Sequence, residues 1–501
     1  MFSSFTSSLA SSPWLQPNRL LPIAQIAFFM LIAVIGGVVA GTGNIMLTTM
    51  AGGVLIGGLL LGSASAVVWI IVVGTLLVSG PLLMFHPELR RVAWLFSMLG
   101  FLLIATSTLH IGAGRYLNRR ETPFFVGLAL ALFVWVGISM AISKGSSGEI
   151  TSAFKRDFQF WGLFLAMAVV PFSAQTVRSW VKALVLIALV QFPFALYQLI
   201  KLVPMRYNMP GRIVPIDIVC GTFEGDIWGG GNNNTMIYML LAVTTGVLSA
   251  YRDSLASKPK LLLILAILLI PLGLGETKIA LALLPITFIC AYGDMIRKSP
   301  GKFAVAASVA TVAMTVLVYI YVVIQGDNQN ASFEQNLGTN IEYNFGTTGY
   351  NGGGTLNRSN VIPFWWNENG LKDPVGTIFG HGLGASFATT SDDNAGHIDK
   401  RYAGYMVGLS GLSTLLWDLG LVGTLLYLGV LAGAAWIAYK LARDTPSAFD
   451  RAFCRTLYAS ALMQLVLIPI SDAMLQAPST EVLQALTLGL IAWRWRHNQP
   501  I

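Results

Sequence analysis

The sequence predicts an all-α polytopic membrane protein with one large external loop, and three observations carry that prediction. Of 501 residues, 55% are hydrophobic and only 11% charged, where a soluble domain carries about 25% charge. Apolar runs near 20 residues recur along the chain, the length a helix needs to cross a hydrocarbon core about 30 Å thick. Period-2 alternation is absent, which argues against a membrane β-barrel. The apolar excess excludes disorder. Three cysteines, Cys220, Cys290 and Cys454, exclude a disulfide-built scaffold, and they show no metal-type spacing with histidine. The net charge of +8 fits cytoplasmic loops that collect Lys and Arg better than it fits nucleic-acid binding.

In chain order the candidate spans are 21–41, 44–62, 66–85, 92–110, 124–143, 158–176, 183–203, 234–250, 261–274, 277–293, 303–324, 420–440, 455–471 and 480–493. The runs 261–274, 277–293 and 480–493 are short, so about 10–14 transmembrane helices are expected. The first run is too long for a secretory signal and reads as a retained span. In hydrocarbon the backbone must satisfy its own hydrogen bonds, so these runs are helices.

Orientation follows from the basic residues. Arg252, Lys258 and Lys260 share one loop, and Arg297, Lys298 and Lys302 share the next. Lys440, Arg443, Arg451 and Arg455 form a third group, and Arg494 and Arg496 end the chain. With these on the cytoplasmic side, 204–233, 272–277, 325–404 and 472–479 face the other side. Segment 144–157 is external by this count yet carries Lys144, Lys155 and Arg156, which suggests a miscounted span or a helix lying flat in the interface. The organisation is then an N-terminal bundle (1–203), a core with a first external loop (204–324), a large external loop ending in a returning helix (325–418) and C-terminal spans (419–501).

Polar material gathers in the external segments. The 325–404 loop is rich in Asn, Gly and Thr, and Phe364, Trp365 and Trp366 inside it argue against disorder. It carries Gly380-His381-Gly382-Leu383-Gly384, whose alternating glycines allow close backbone approach and an amide cradle for an anion. A plain surface turn is the competing account. Loop 204–233 holds Gly221-Thr222-Phe223 and then Gly229-Gly230-Gly231-Asn232-Asn233-Asn234. Glu276 and Lys278 sit at the external end of two apolar runs. Lys278 is suited to hold a phosphate at the membrane surface, against a snorkelling lysine paired with Glu276. Asp418 reads as a cap of the next helix rather than a catalytic group. Of five histidines, only His381 and His397 fall in the large loop. Asp392, Asp393 and Asp399 read as a solvated acidic turn before a loose cation site.

In their order and shared side, these pieces resemble the O-antigen polymerase and O-antigen ligase superfamily of bacterial inner-membrane glycosyltransferases. Gly221-Thr222-Phe223 followed by the asparagine run is similar to a Gly-Thr-Phe then Pro-Asn pattern, without the proline. Thr277-Lys278 stands where the family has Ser-Arg, and Gly380, Gly382 and Gly384 match its loop glycines. Asp418-Leu419-Gly420-Leu421-Val422-Gly423 is similar to its Glu-x-Gly-x-x-Gly, with Asp for Glu. The family's loop histidine falls near Leu409, where this chain has none. The likeness covers roughly residues 200–440.

The resemblance implies a C-type glycosyltransferase-like fold and transfer of a glycan from undecaprenyl diphosphate to an acceptor hydroxyl at the periplasmic face. No metal or nucleotide cofactor is implied. Fixed cations must stabilise the leaving diphosphate, and the candidates are Lys278, Arg212, Arg358 and Arg401. A positioned base must take the acceptor proton, and the candidates are His397, His381 and Glu276. A polymerase acting on a lipid-linked glycan acceptor is the first expectation, and a chain-length regulator is a compatible partner. A ligase using lipid A core or protein is the second. A transporter or flippase of an anionic or lipid-linked solute is the alternative of another class; it calls for charges or broken helices near the midplane of several spans.

Overall fold

The structure is a computed structural model that describes residues 63–112, 122–143, 145–210, 214–275, 278–325, 338, 346, 355–389 and 395–497. The expected spans 21–41 and 44–62 lie outside the described residues. The described chain is mostly helical, in line with a polytopic all-α membrane protein. Six described helices are long and apolar enough to cross a membrane: Ala64–Phe85, Pro87–Ile111, Phe124–Ile142, Ala174–Tyr207, Asn233–Arg252 and Gly411–Asp444.

The first helix, α1 (Ala64–Phe85), starts at Ser63, whose hydroxyl accepts from the Ala66 amide. It is followed by α2 (Ala93–Gly112) and α3 (Phe124–Ile142). These helices are apolar on every side, as expected of segments facing lipid or other helices rather than water. Next, α4 (Ser147–Phe158) is different. It is amphipathic, opens on a Ser146 cap and ends with Lys155 and Arg156 against its C-terminal dipole. It accounts for the basic segment that did not fit the span count: a short amphipathic helix and not a span.

Two expected spans are redrawn. In place of 158–176 there is α5 (Trp161–Val169), nine residues of which all but Leu165 are buried and which rise about 14 Å, half a bilayer core. Phe172 and Ser173 then lead into α6 (Ala174–Tyr207), one 34-residue helix where 183–203 was expected. Pro193 lies inside it and a π-turn follows at Gln198–Leu202, a usual accommodation of a lost ladder bond.

Downstream lie α7 (Asn233–Arg252), α8 (Lys258–Leu274), α9 (Lys278–Tyr292) and α10 (Pro300–Gln325). The large loop contributes α11 (Val361–Glu368), α12 (Pro374–Phe379) and α13 (His397–Arg401). Then α14 (Gly411–Asp444) breaks at Gly420, where φ is +66° and ψ is −170°. A short helix therefore precedes the long one. The chain closes with α15 (Ala448–Leu467) and α16 (Pro478–Arg496). The described strands are a two-residue antiparallel ribbon, β1 (Gly225–Asp226) and β2 (Gly230–Gly231).

Side-chain ties separate two ends of the bundle. At one end, Arg252 pairs with Asp294 and donates to the Ala291 carbonyl, joining the C-terminal ends of α7 and α9. Asp253 there accepts from Arg451 and Arg455 at 3.0 Å each, and Arg494 meets Asp450 at 3.4 Å. All four basic groups of the sequence map to this end. The opposite end carries the described parts of the polar loops. Because α7 and α9 run side by side with their C-terminal ends joined, Lys278 begins its helix at the loop end.

Candidate functional site

At the loop end, three segments far apart in sequence are tied together. In the 214–233 loop, Gln198 of α6 accepts from the Cys220 and Gly221 amides, and Gln191 accepts from the Thr222 amide at 2.8 Å. The Thr222 hydroxyl donates to the Leu76 carbonyl of α1. So Gly221-Thr222-Phe223 is a buried anchor. Glu224 continues the join by accepting from the Ser479 amide at 2.8 Å and from the Ser479 hydroxyl. Burial raises the Glu224 carboxyl against those bonds. The third segment arrives when Arg358 Nε donates to the Ile470 carbonyl at 2.7 Å.

Between these segments is a cavity of about 580 Å³. Its walls include Gly229 to Asn234, Arg358, Phe387, Gly408 and Asp472. The first turn of α7 opens onto it, and the leading amides of a helix have no partners within the helix. Together with Arg358 they give the cavity a side that favours an anion. Asn233 is 6% exposed, and its Oδ1 has no hydrogen-bond partner. Asp217 and Asp472 supply an acidic side. Burial pushes the Asp472 carboxyl up, against its own and the Ala473 amides and the Arg358 and Arg156 guanidiniums. The cavity thus offers both an anion-binding wall and acceptors for hydroxyl groups.

Arg156 sits behind this wall. Its guanidinium carbon lies 3.7 Å from the centre of the Phe387 ring, and its Nε donates to Asp157 at 2.8 Å. Nη2 of Arg156 is buried without a hydrogen-bond partner.

The predicted residues that the structure describes are placed as follows. His397, at the start of α13, has Nδ1 2.8 Å from Glu149 Oε1 of α4. Glu149 is buried while the His397 side chain is 30% exposed. A buried carboxylate that fixes one ring nitrogen of a partly exposed histidine is how a general base is held. His397 is not itself a wall of the cavity; its neighbour Gly396 donates its amide to the carbonyl of the wall residue Phe387. His381 is built differently. Its Nε2 meets Asn369 Oδ1 at 2.7 Å and its ring lies against Trp417, a packed position within the loop's own core. Arg401 is exposed beside Tyr402 and is not among the cavity walls. Lys278 heads α9 at the loop end, but its side chain lies outside the described part. Arg212 and Glu276, with Asp392 and Asp393, lie outside the described residues.

The glycine motif and Asp418 solve each other. Gly380, Gly382 and Gly384 have φ of +76°, +103° and +86°, a region that excludes most side chains. The loop does form an anion cradle, but the anion is the chain's own. The amides of Gly384 and Ser386 donate to the two Asp418 carboxylate oxygens at 2.8 and 2.9 Å. The Gly382 amide donates to the Asp418 carbonyl. Asp418 is therefore a clamp on the loop, not a cap of the following helix. Ser139 and Trp135 of α3 donate to the Asp418 and Leu419 carbonyls at the same break.

Sequence reasoning missed Glu149, Arg156 and a set of buried charges. Asp157 and Glu481 are buried, Asp157 beside the half-buried Arg156, and Gln159 donates to Glu481 at 2.7 Å. Their signal was the odd basic segment 144–157. Among the described residues no group of three His, Cys, Asp or Glu is placed to hold a metal ion. No family model, curated protein or solved structure matches the chain.

Proposed function

We propose that this protein is a membrane glycosyltransferase that moves a glycan from undecaprenyl diphosphate onto a hydroxyl of an acceptor glycan, at the periplasmic face of a bacterial inner membrane. One observation carries the reading: the cavity of about 580 Å³ that unites Arg358, the start of α7 and an acidic wall at the loop end of a membrane bundle. Its anion-favouring side suits the diphosphate, and its carboxylates and Asn233 suit sugar hydroxyls.

In the proposed reaction the acceptor oxygen attacks the anomeric carbon of the donor sugar. The bond from that carbon to the phosphate oxygen breaks, and the diphosphate leaves with the bonding electrons. His397 takes the hydroxyl proton, with Glu149 positioning the ring. Arg358 and the α7 amides stabilise the departing charge, with Lys278 as the further cation at this end.

The test is turnover by the purified protein with undecaprenyl-diphosphate-linked repeat units, in the presence of EDTA. Extension of the glycan is expected, with Lys278→Ala and Arg358→Gln each lowering it. A strict divalent-ion requirement, or full activity in both variants, contradicts the proposed chemistry. Transfer to lipid A core in place of a glycan acceptor would make the protein a ligase with the same donor site.

A further inference from the structure

A second cavity, of about 260 Å³, lies between α6, α7, α15 and α16. It is almost wholly apolar and partly open. Along α7 its wall is Tyr238, Ala242, Gly246 and Ala250, a stripe of every fourth residue that follows one helix face. That stripe extends about 18 Å along the helix, so the cavity is a slot parallel to the bundle. In a membrane such a slot is filled by hydrocarbon, since water there would find too few polar partners.

The slot has two unlike ends. Toward the loop end it is closed by Tyr238, whose hydroxyl bonds Ser460 at 2.5 Å and Gln464 at 2.6 Å. Thr487 joins the same set through Ser460. None of these residues lines the Arg358 cavity. At the basic end the wall reaches Phe449. Arg178 holds its guanidinium 5.7 Å from the Phe449 ring centre. Lys182 follows one turn later on α6, beside the wall residue Val181, and both basic side chains are exposed. A basic mouth over an apolar slot matches a lipid with a negative head and a hydrocarbon tail.

We infer that an anionic phospholipid from the leaflet at the basic end binds here, with one acyl chain in the slot and its phosphate at Arg178 and Lys182. The site is independent of the glycan-transfer reading, since none of its residues belongs to the Arg358 cavity. Bound lipid would brace α6 against α15 at a face that otherwise leaves the slot unfilled.

The test uses the full chain washed in detergent and exposed to phosphatidylglycerol or phosphatidylcholine, with retained lipid read by native mass spectrometry. One phosphatidylglycerol is expected to persist, in preference to phosphatidylcholine. Replacing both exposed bases, Arg178→Gln with Lys182→Gln, should cut that preference by about 30-fold, taking each basic residue near the surface at its usual worth. Ala242→Phe should expel lipid of either head. Equal retention of the two lipids by the unaltered protein overturns the proposal, as does retention undiminished in Ala242→Phe. A photoreactive benzoylphenylalanine at position 242 should capture phosphatidylglycerol. Capture of residues 1–62 of the chain instead, or displacement of the phospholipid by undecaprenyl phosphate, also overturns it.

Discussion

Glu149 places a buried carboxylate 2.8 Å from one ring nitrogen of His397, whose side chain is 30% exposed. If His397 is the base, His397→Gln should lower kcat by about 100-fold or more, the usual worth of a positioned base. Glu149→Gln should lower it less, and His381→Gln should lower it less than His397→Gln. Equal loss of kcat in both histidine variants, with folding intact, would contradict the assignment. Lys155 makes a second residue-scale prediction. Burial pulls its ammonium from the ordinary 10.5 down to about 8, against the pull of Glu481. Between these values the unfolded chain keeps the proton that the folded chain has released. Stability therefore rises with pH through that window. Acylation of Lys155, followed by peptide mass spectrometry, should show a midpoint near pH 8; a midpoint at the ordinary lysine value would contradict the burial argument.

At the scale of elements, the glycine loop and the break in α14 act as one joint. Gly380 faces the Asp418 carbonyl so closely that a Cβ would lie 2.3 Å from it, and a Cβ on Gly384 would lie 2.6 Å from that of Ala153. Asp418→Ala removes the acceptor of two buried amides, each costing about 1–3 kcal/mol when left unpaired. Thermal unfolding in detergent should report that loss, and Gly384→Ala should be destabilised as well, because it presses on α4. An unchanged Tm in both would contradict the clamp. The motif was legible in the sequence but its partner was not: the spacing Gly-x-Gly-x-Gly records a need for unusual backbone, and says nothing of which anion fills the cradle. The same limit applies to α5 and α6. Hydropathy located their apolar residues, yet a nine-residue buried helix and a 34-residue helix carry the same apolar signal as two ordinary spans.

At the scale of the molecule, the basic groups predicted to share a side do share an end, because charge placement between spans is a local and additive signal. The convergence of 217–234, 358–409 and 470–477 on one cavity was not legible, since no local pattern encodes which loops meet. Two-sidedness is testable in sealed vesicles. In a variant without native cysteines, Trp228→Cys and Lys298→Cys should react with an impermeant maleimide from opposite faces; reaction from one face would contradict the arrangement. The most direct test of the central claim is the affinity of the purified protein for undecaprenyl diphosphate, compared between the unaltered chain and Arg358→Gln. Loss of a charge-assisted phosphate contact predicts weakening by about 10–100-fold. Unchanged affinity in that variant, with its fold intact, would show that the diphosphate is held elsewhere.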